Sequence, residues 1–428
     1  MKNLFITLSL VIFVFSSCED KVTETVTYKI NEPIFMPEAT FRSSVKVSPQ
    51  PQAINVLGKM CFYNGYLYIS EPEKGIHIVD NTVPSNPQLV GFIELLGNAD
   101  LSIRNGLLYA DSFIDLVWFD IIDPSKPILK GRLENVFTKA LPVITENNYG
   151  IDYAACYSSD NNGVIVGWEV VEKTEERDAY TGGGWWGWGR PEMMFDGTVA
   201  LNATNKSGST TGVTGSMSRF TIYNDNLYTV IDNNMTIFDL KGTNPVKVSE
   251  NIYIGRNVET IFSYEDNMFM GTPTGLIIYS VKDPLKPEFQ SSISHVFGCD
   301  PVVVENDIAY VTVHSGNFCG QNSNELIIIN VADVKKPKQI VSYTMTSPKG
   351  LGIDNGKLFL CDDGLKIYNV LDPQKLMSNM VVHFSGMEGF DVIPYNNVLM
   401  MIAEDGLYQY NYSTITQISL ISKIPIGK

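Results

Sequence analysis

The chain has 428 residues, of which 44% are hydrophobic and 18% charged, and its net charge is −16. The apolar content excludes a wholly disordered chain. The acidic balance excludes nucleic acid as the main partner, because phosphate binding needs a basic face. Abundant aromatic residues beside 34 glycines and 21 prolines favour β structure over a helical bundle.

The first residues have the pattern of an export signal. Lys2 supplies a positive start, and residues 4–15 are almost all apolar. That run is too short to span a bilayer, which takes about 20 residues, and it is typical of a signal peptide. The small residues Ser16 and Ser17 before Cys18 resemble the lipobox of bacterial lipoproteins. The resemblance implies that Cys18 is lipidated, whereas the alternative is an ordinary secretory signal with a chance cysteine.

This pattern predicts a signal peptide over residues 1–17, a lipidated tether over residues 18–35 and a single domain over residues 36–428. Glu19 and Asp20 follow the cysteine and are similar to the surface-export signals of Bacteroidetes lipoproteins. The resemblance implies a lipid-anchored protein of the outer membrane. It leaves open which side of that membrane the domain faces, including exposure at the cell surface.

The body of the chain repeats a hairpin signal at intervals of about 41 residues. Asn64-Gly65 and Asn105-Gly106 are the clearest copies, since these residue types accept the positive φ that two-residue hairpin turns require. An apolar strand follows each turn and closes on an aromatic residue or methionine. These closing residues are numbers 68, 109, 153, 228, 269, 310, 359 and 400.

Each hairpin is followed by a short, nearly continuous hydrophobic strand, clearest in residues 75–80, as expected of a strand covered on both faces. A proline turn such as residues 123–127 then leads into a more polar outer strand. Four strands in each of about eight repeats predict an all-β fold, a β-propeller of about eight four-stranded blades. The predicted blades are residues 55–97, 98–138, 139–218, 219–255, 256–297, 298–346, 347–385 and 386–425.

Two features of the ring stay open in this interpretation. The number of blades is seven if the weak third unit, residues 139–218, only covers its neighbours. Closure of the ring needs contact between the two ends, and residues 40–47 are expected to supply an extra strand against the last blade.

The hydrophobic strand after each hairpin resembles the LVIVD repeat of bacterial propeller-like lipoproteins, and the resemblance covers about residues 55–420. It implies a membrane-anchored or extracytoplasmic propeller. It implies no particular activity, because the residues of the motif form strand core and turns.

Acidic residues recur in the loops before the first strand and after the second strand of each predicted blade, which open on one face. We name these acidic residues and His314 the acidic mouth, and we take them as a candidate ligand site. Hard cations prefer several oxygen ligands, so Ca²⁺ or a cationic molecule is a candidate ligand. The competing interpretation is that these residues fill turns and solvate the rim. The acidic mouth comprises Asp111, Asp115, Asp300, His314, Asp362, Asp363, Glu404 and Asp405.

The cysteines suggest a second feature of this face. Cys299 and Cys319 lie in loops expected on the same side, and export favours oxidation, so we predict a disulfide between them. The competing hypothesis is a catalytic cysteine with His314. Cys61, Cys156 and Cys361 are predicted to lie on strands as small core residues. The sequence has no CxxC pair, so a zinc site made of thiolates is not expected.

An insertion over residues 173–216 interrupts the repeat. Its glycine-rich part contains Trp185, Trp186 and Trp188. Exposed tryptophans on such a loop can stack on sugars or anchor a partner. The alternative is that they pack against the propeller and cover a loop.

The motifs of serine hydrolases, zinc proteases and phosphate-binding loops are not found in the sequence. We therefore predict a non-enzymatic binding or scaffold propeller of the cell envelope, with no cofactor other than a candidate Ca²⁺ and with an envelope protein or a glycan as partner. The alternative is a carbohydrate-active or other extracytoplasmic enzyme that uses a pair of carboxylates in the acidic mouth. A third hypothesis is a propeller stabilised by a metal ion.

Overall fold

The computed structural model describes residues 23–144, 146, 148–158, 163–178, 211–216, 218–231, 233–248, 252–255, 258–273, 275–294, 301–314 and 323–427. Several residues singled out above lie outside this part of the chain. They are Cys18 with the rest of the predicted signal peptide, Cys299, Asp300, Cys319, Trp185, Trp186 and Trp188.

The chain begins with elements that precede the repeats: β1 (Thr23–Met36), α1 (Glu38–Ser43) and β2 (Lys46–Ser48). Two groups of four strands follow. Blade 1 consists of β3 (Met60–Tyr63), β4 (Tyr66–Glu71), β5 (Gly75–Asp80) and β6 (Gln88–Glu94). Blade 2 consists of β7 (Leu101–Arg104), β8 (Leu107–Ser112), β9 (Asp115–Asp120) and β10 (Ile128–Leu133).

Four further elements separate blade 2 from blade 3. They are β11 (Gly150–Ile151), α2 (Tyr153–Cys156), β12 (Val164–Asp178) and β13 (Val213–Thr214). Blade 3 consists of β14 (Phe220–Tyr223), β15 (Asn226–Ile231), β16 (Asn234–Asp239), β17 (Val246–Lys247) and β18 (Ile252–Tyr253).

The remaining strands form four blades in chain order. Blade 4 consists of β19 (Thr260–Tyr264), β20 (Asn267–Thr272), β21 (Gly275–Ser280) and β22 (Glu288–Ser294). Blade 5 consists of β23 (Val302–Glu305), β24 (Ile308–Val313), β25 (Glu325–Asn330) and β26 (Lys338–Thr344). Blade 6 consists of β27 (Pro348–Asp354), β28 (Lys357–Asp362), β29 (Leu365–Asn369), a 3₁₀ helix (Pro373–Asn379) and β30 (Met380–Phe384). Blade 7 consists of β31 (Gly389–Tyr395), β32 (Val398–Ala403), β33 (Gly406–Asn411) and β34 (Ser419–Pro425).

Each blade is an antiparallel sheet whose strands lie side by side in chain order. The turns that join the first two strands behave as the sequence predicts. Asn64 and Gly65 have φ values of 48° and 82°, and they connect the paired residues Tyr63 and Tyr66. The first strands of successive blades contact one another, from β3 and β7 through to β27 and β31. The predicted β-propeller is confirmed, and its described residues form seven blades, the smaller of the two numbers considered.

The third predicted unit, residues 139–218, is not a blade. Its strands β11 and β12 pair with β1 in a separate three-stranded sheet, in the order β11-β1-β12. β1 and β12 run antiparallel from Thr23 opposite Asp178 to Met36 opposite Val164. Residues 23–36, most of which were expected in the tether, are therefore a paired strand. Because this unit leaves the ring, β7 and β14 become neighbours, and Cys156 lies in α2 instead of on a strand.

The expected closing strand over residues 40–47 is also wrong. Residues 40–43 belong to α1, and β2 pairs with β6 at the outer edge of blade 1. Blades 7 and 1 instead meet through side chains that share one hydrophobic cluster, including Ile69 of blade 1 and Ile402 of blade 7. The hydroxyl of Ser422 also donates to the carbonyl of Pro84 at 2.7 Å.

The end of the insertion runs through the centre of the ring. We name residues 211–216 and 218 the channel segment. Within it, β13 pairs with β3 of blade 1, and the amide of Gly212 donates to the carbonyl of Ile103 in β7 at 2.6 Å. Ser216 accepts a bond from the amide of Leu351 in blade 6. Only a residue without a side chain fits at Gly212, since a Cβ there would lie 2.5 Å from the sulfur of Cys61.

The helices in the described part of the chain are all too short, or insufficiently apolar, to cross a membrane.

Candidate functional site

Across the described residues, the acidic mouth is spread over blades 2, 5, 6 and 7 and is not gathered at one point. This part of the chain contains no group of three or more histidine, cysteine or acidic side chains placed to hold a metal ion. His314 follows directly on β24 of blade 5, and Asp300 lies outside the described residues. The proposed Ca²⁺ thus stays a prediction.

Asp115 of the acidic mouth is fully buried between two arginines. Its carboxylate accepts a hydrogen bond from Arg42 at 3.0 Å and another from Arg132 at 2.8 Å. It also accepts the backbone N–H of Asn135. Because Arg42 belongs to α1, this carboxylate fastens the N-terminal helix to blade 2. Its oxygens are used inside the molecule.

Asp111 belongs to a buried charged network next to the channel segment. Asp100 accepts bonds from Lys59 at 3.2 Å, from the Ser218 hydroxyl at 3.0 Å and from the backbone N–H of Arg219 at 2.5 Å. The Arg219 side chain lies 3.8 Å from Asp111. Lys59, Asp100 and Arg219 occupy the residue before the first strand of three successive blades, so positive and negative groups alternate around the channel. Lys59 and Arg219 were not expected at this site from the sequence.

Burial dominates the electrostatics of this network. It raises the pKa of Asp111 to about 6, against the smaller opposing effects of Arg219 and of the backbone N–H groups of Ala99 and Asp100. Burial likewise lowers the pKa of Lys59, while Asp100 beside it acts in the opposite direction. The network therefore holds the channel segment in place with charged groups that have little access to water.

The other carboxylates of the mouth are divided between anchoring and exposed positions. Asp362 is buried, and it accepts the backbone N–H groups of Thr346 and Ser347 and the Lys366 ammonium at 2.7 Å. Asp405 lies on the surface and pairs with Lys423. The two remaining residues, Asp363 and Glu404, are exposed turn residues. The interpretation that these side chains serve turns and local structure accounts for their contacts.

A cavity of about 700 Å³ lies between blades 7 and 1, which is within the size range of small-molecule sites. It opens on the face opposite the acidic mouth, because its rim is formed by the turns between first and second strands and by the residues after the third strand of blade 1. The channel segment forms part of its wall. The lining residues are Phe62, Tyr63, Asn64, Gly65, Asn81, Thr82, Pro84, Thr211, Val213, Tyr395, Asn396, Val398 and Met400.

The cavity arises where the repeat departs from its own pattern. At the six other junctions, the aromatic residue at the third position of the second strand packs in one cluster with an apolar residue that follows the third strand of the next blade. The six pairs are Tyr68 with Ile121, Tyr109 with Leu240, Tyr228 with Val281, Phe269 with Val331, Tyr310 with Val370, and Phe359 with Tyr412. At the junction of blades 7 and 1, these positions hold Met400 and Asn81, whose Sδ and Nδ2 atoms are 3.6 Å apart.

A third departure lies beside the first two. Gln409 occupies the position held by Ile78 in blade 1 and by Trp118 or isoleucine in the other blades. The Asn81 amide donates to Gln409 at 3.0 Å, and the Gln409 amide donates back at 2.6 Å. Both side chains are buried, with 2% and 0% of their surface exposed. This reciprocal pair satisfies two amides that an apolar junction would otherwise leave unbonded.

Tyr395 marks the same junction as different. The corresponding residues of other blades reach the next blade through hydrogen bonds: Tyr63 accepts the N–H of Gly106, and Tyr264 accepts that of Asp307. Tyr395 instead lies against Phe62, with ring centroids 4.9 Å apart. Within the described part of the chain its hydroxyl forms no hydrogen bond. A phenolic group at the cavity is thus available to a ligand.

The sequence carries a signal for this site in three departures from the repeat. Residue 400 is the one methionine in the series of closing aromatic residues, and Asn81 and Gln409 are polar at positions that are otherwise apolar. In a repeat protein, a departure from the pattern stands out only after the copies are aligned position by position.

No family model matches the sequence, and no curated protein matches it. Among solved structures, the chain is similar to the computationally designed Ika8 protein, with 7% identity over 88% of this chain and 89% of that one and a TM-score of 0.48. Hsv2 of Kluyveromyces lactis shows 10% identity over 87% of this chain and 100% of its own, with a TM-score of 0.47. BamB from Moraxella catarrhalis shows 9% identity over 91% and 99% of the two chains, with a TM-score of 0.46. At such values the likeness concerns the fold only. The β-propeller itself is established by the order of the strands within the sheets.

The raised pKa of Asp111 leads to a pH dependence of stability. The folded chain holds the Asp111 proton more tightly than the unfolded chain does. The resulting contribution of Asp111 to the free energy of unfolding is fully present below the usual pKa of 3.8 and is lost as the pH rises through about 6. Between pH 4 and pH 7, we expect the free energy of unfolding of the wild-type protein to fall by about 2 to 3 kcal/mol relative to that of Asp111→Asn. Urea unfolding of both proteins across this range measures the difference. Glu404→Gln, at an exposed position, serves as the control, and a difference for Asp111→Asn that does not change with pH contradicts the prediction.

The amide pair at the cavity predicts strong coupling between two substitutions. Asn81→Val and Gln409→Ile introduce residues that other blades carry at these positions. Each single variant leaves the partner amide buried without its bond, which costs about 1 to 3 kcal/mol. The double variant removes both amides and is expected to recover most of that loss. A double-mutant cycle from denaturant unfolding tests this, and additive effects of the two substitutions would rule the coupling out.

Proposed function

We propose that this protein is a lipoprotein of the cell envelope whose propeller binds a small ligand in the cavity between blades 7 and 1 without transforming it. The observation that carries the proposal is the character of the lining. The cavity is of small-molecule size, and its described lining residues present aromatic, amide and hydroxyl groups without any carboxylate, histidine, lysine, arginine or cysteine. Such a surface supports recognition through stacking and hydrogen bonds, and its only ionisable side chains are the phenols of Tyr63 and Tyr395.

The contacts of the acidic mouth support the same proposal. Asp111, Asp115 and Asp362 are buried and bound by arginine, lysine or backbone N–H groups of the protein itself. A glycoside-hydrolysing pair needs two carboxyl groups that face a substrate from about 5 to 9 Å apart. Carboxylates committed to holding α1, the channel segment and blade 6 are poorly suited to that role.

The proposed location rests on the sequence. The apolar run, the small residues before Cys18 and the resemblance to LVIVD-repeat lipoproteins all favour export and lipidation. We propose an outer-membrane protein held by its N-terminal lipid. In the sequence, β1 of the sheet β11-β1-β12 lies between the proposed anchor residue Cys18 and α1.

Lipidation is tested by metabolic labelling of the native bacterium with a palmitate analogue. Wild-type protein is expected to carry the label and to fractionate with the outer membrane. Cys18→Ser removes the sulfur that carries the lipid, so it is expected to lose the label. It is also expected to leave the membrane fraction, since a lipid chain contributes about 0.8 kcal/mol for each buried CH₂. Cys361→Ser, at a buried cysteine inside blade 6, is the matched control and should keep the label. Retention of the label by Cys18→Ser would refute the lipid anchor.

Binding in the cavity is tested by blocking its rim. Thr82 and Ser413 occupy the same position in blades 1 and 7, and each N–H is accepted by the side chain two residues earlier. Only Thr82 lines the cavity. We expect Thr82→Trp to abolish retention of an envelope-extract compound by the purified protein and Ser413→Trp to leave it unchanged, as measured by native mass spectrometry.

The same measurement distinguishes binding from catalysis. A compound released from the wild-type protein should have the mass that it had in the extract before incubation. Conversion of the compound by wild-type protein, with loss of conversion in Glu404→Gln or Asp405→Asn, would establish the enzymatic alternative. Equal retention by the Thr82 and Ser413 variants would remove the cavity as the site.

A further inference from the structure

We propose that the ligand of the cavity is an uncharged saccharide, an inference that rests on the proposed function. Charge gives the first reason. None of the described lining residues carries a charge, and the whole chain has a net charge of −16. An anionic ligand would meet no cation in the cavity and a negative field around it, and a cationic ligand would find no carboxylate to pair with. The site therefore selects neutral molecules.

The aromatic residues give the second reason. Phe62, Tyr63 and Tyr395 are each half-buried at the cavity, and the rings of Phe62 and Tyr395 are inclined at 45°. The C–H face of a sugar ring is apolar and packs on such side chains, while its edge keeps its hydroxyl groups bonded. A purely apolar ligand would leave the polar half of the lining without partners.

The polar groups give the third reason. Asn64 and Asn396 lie at the rim on the turns of blades 1 and 7, both with φ of 48°. An amide donates and accepts hydrogen bonds, as the hydroxyl groups of a sugar do, and the Tyr395 hydroxyl can do the same. Because both asparagines stand on tight hairpins, they are positioned before the ligand arrives, which reduces the entropy lost on binding.

The contrast with the other junctions gives the fourth reason. Six junctions are closed by a ring against an apolar residue, and the propeller is stable with that arrangement at each of them. At the junction of blades 7 and 1, Met400 and Asn81 stand in place of the ring and its partner, and both line the cavity. A buried amide pair is not needed to close a blade, so the substitutions point to a function in recognition.

A glycan array that carries neutral, sialylated, sulfated and amino-sugar oligosaccharides tests the inference, with full-length protein as the analyte. We expect binding to neutral glycans and at least tenfold weaker binding to charged counterparts. Calorimetry with the best neutral glycan should show at least tenfold weaker affinity for Thr82→Trp and several-fold weaker affinity for Tyr395→Phe. Ser413→Trp and Tyr264→Phe, which change the same positions in other junctions, should bind as wild type does.

The outcomes separate this inference from the proposed function. If the array shows no neutral glycan bound, while an envelope compound is still retained in a Thr82-dependent way, the saccharide is excluded and the binding function stands. If the retained envelope compound is a peptide, the saccharide is likewise excluded and the binding function stands. If neither glycan nor envelope compound depends on Thr82, both proposals fail.

Discussion

Packing between neighbouring blades is the constraint on which this structure depends. A single four-stranded sheet cannot bury its two faces, and each blade covers one face of the next. At six junctions the contact centres on a ring from one blade and an apolar residue from its neighbour, as with Tyr310 and Val370. The regular spacing of the sequence follows from this contact, because each repeat must place the ring and the apolar residue at equivalent positions in its blade.

The junction of blades 7 and 1 meets that constraint in another way. Its shared cluster still joins Ile69 and Ile402, but the ring and its partner are replaced by Met400 and Asn81. The amide pair with Gln409 keeps the polar groups bonded where water is largely excluded. Closure of the ring and formation of the cavity therefore occur at the same place.

Several acidic residues that the sequence places in a surface ligand site instead form hydrogen bonds and ion pairs inside the protein. Asp115 binds α1 through Arg42, and Asp100 binds the channel segment through Ser218 and Arg219. Breaking such a buried pair leaves an uncompensated charge, so each fixes one particular arrangement of segments that come from distant parts of the chain. The channel segment in turn forms a wall of the cavity, which links the buried charges to the shape of the proposed site.

The sequence by itself determined the repeat, the hairpin turns and the propeller, because turn chemistry and strand hydrophobicity are local properties that recur about every 41 residues. It also contained Met400, Asn81 and Gln409 as departures from the pattern. Only the tertiary structure decided that these three meet, since blades 1 and 7 are joined by ring closure and not by neighbouring sequence. The same holds for the pairing of β1 with β12 and for the passage of residues 211–216 through the ring: both depend on contacts between distant segments, for which periodicity carries no information.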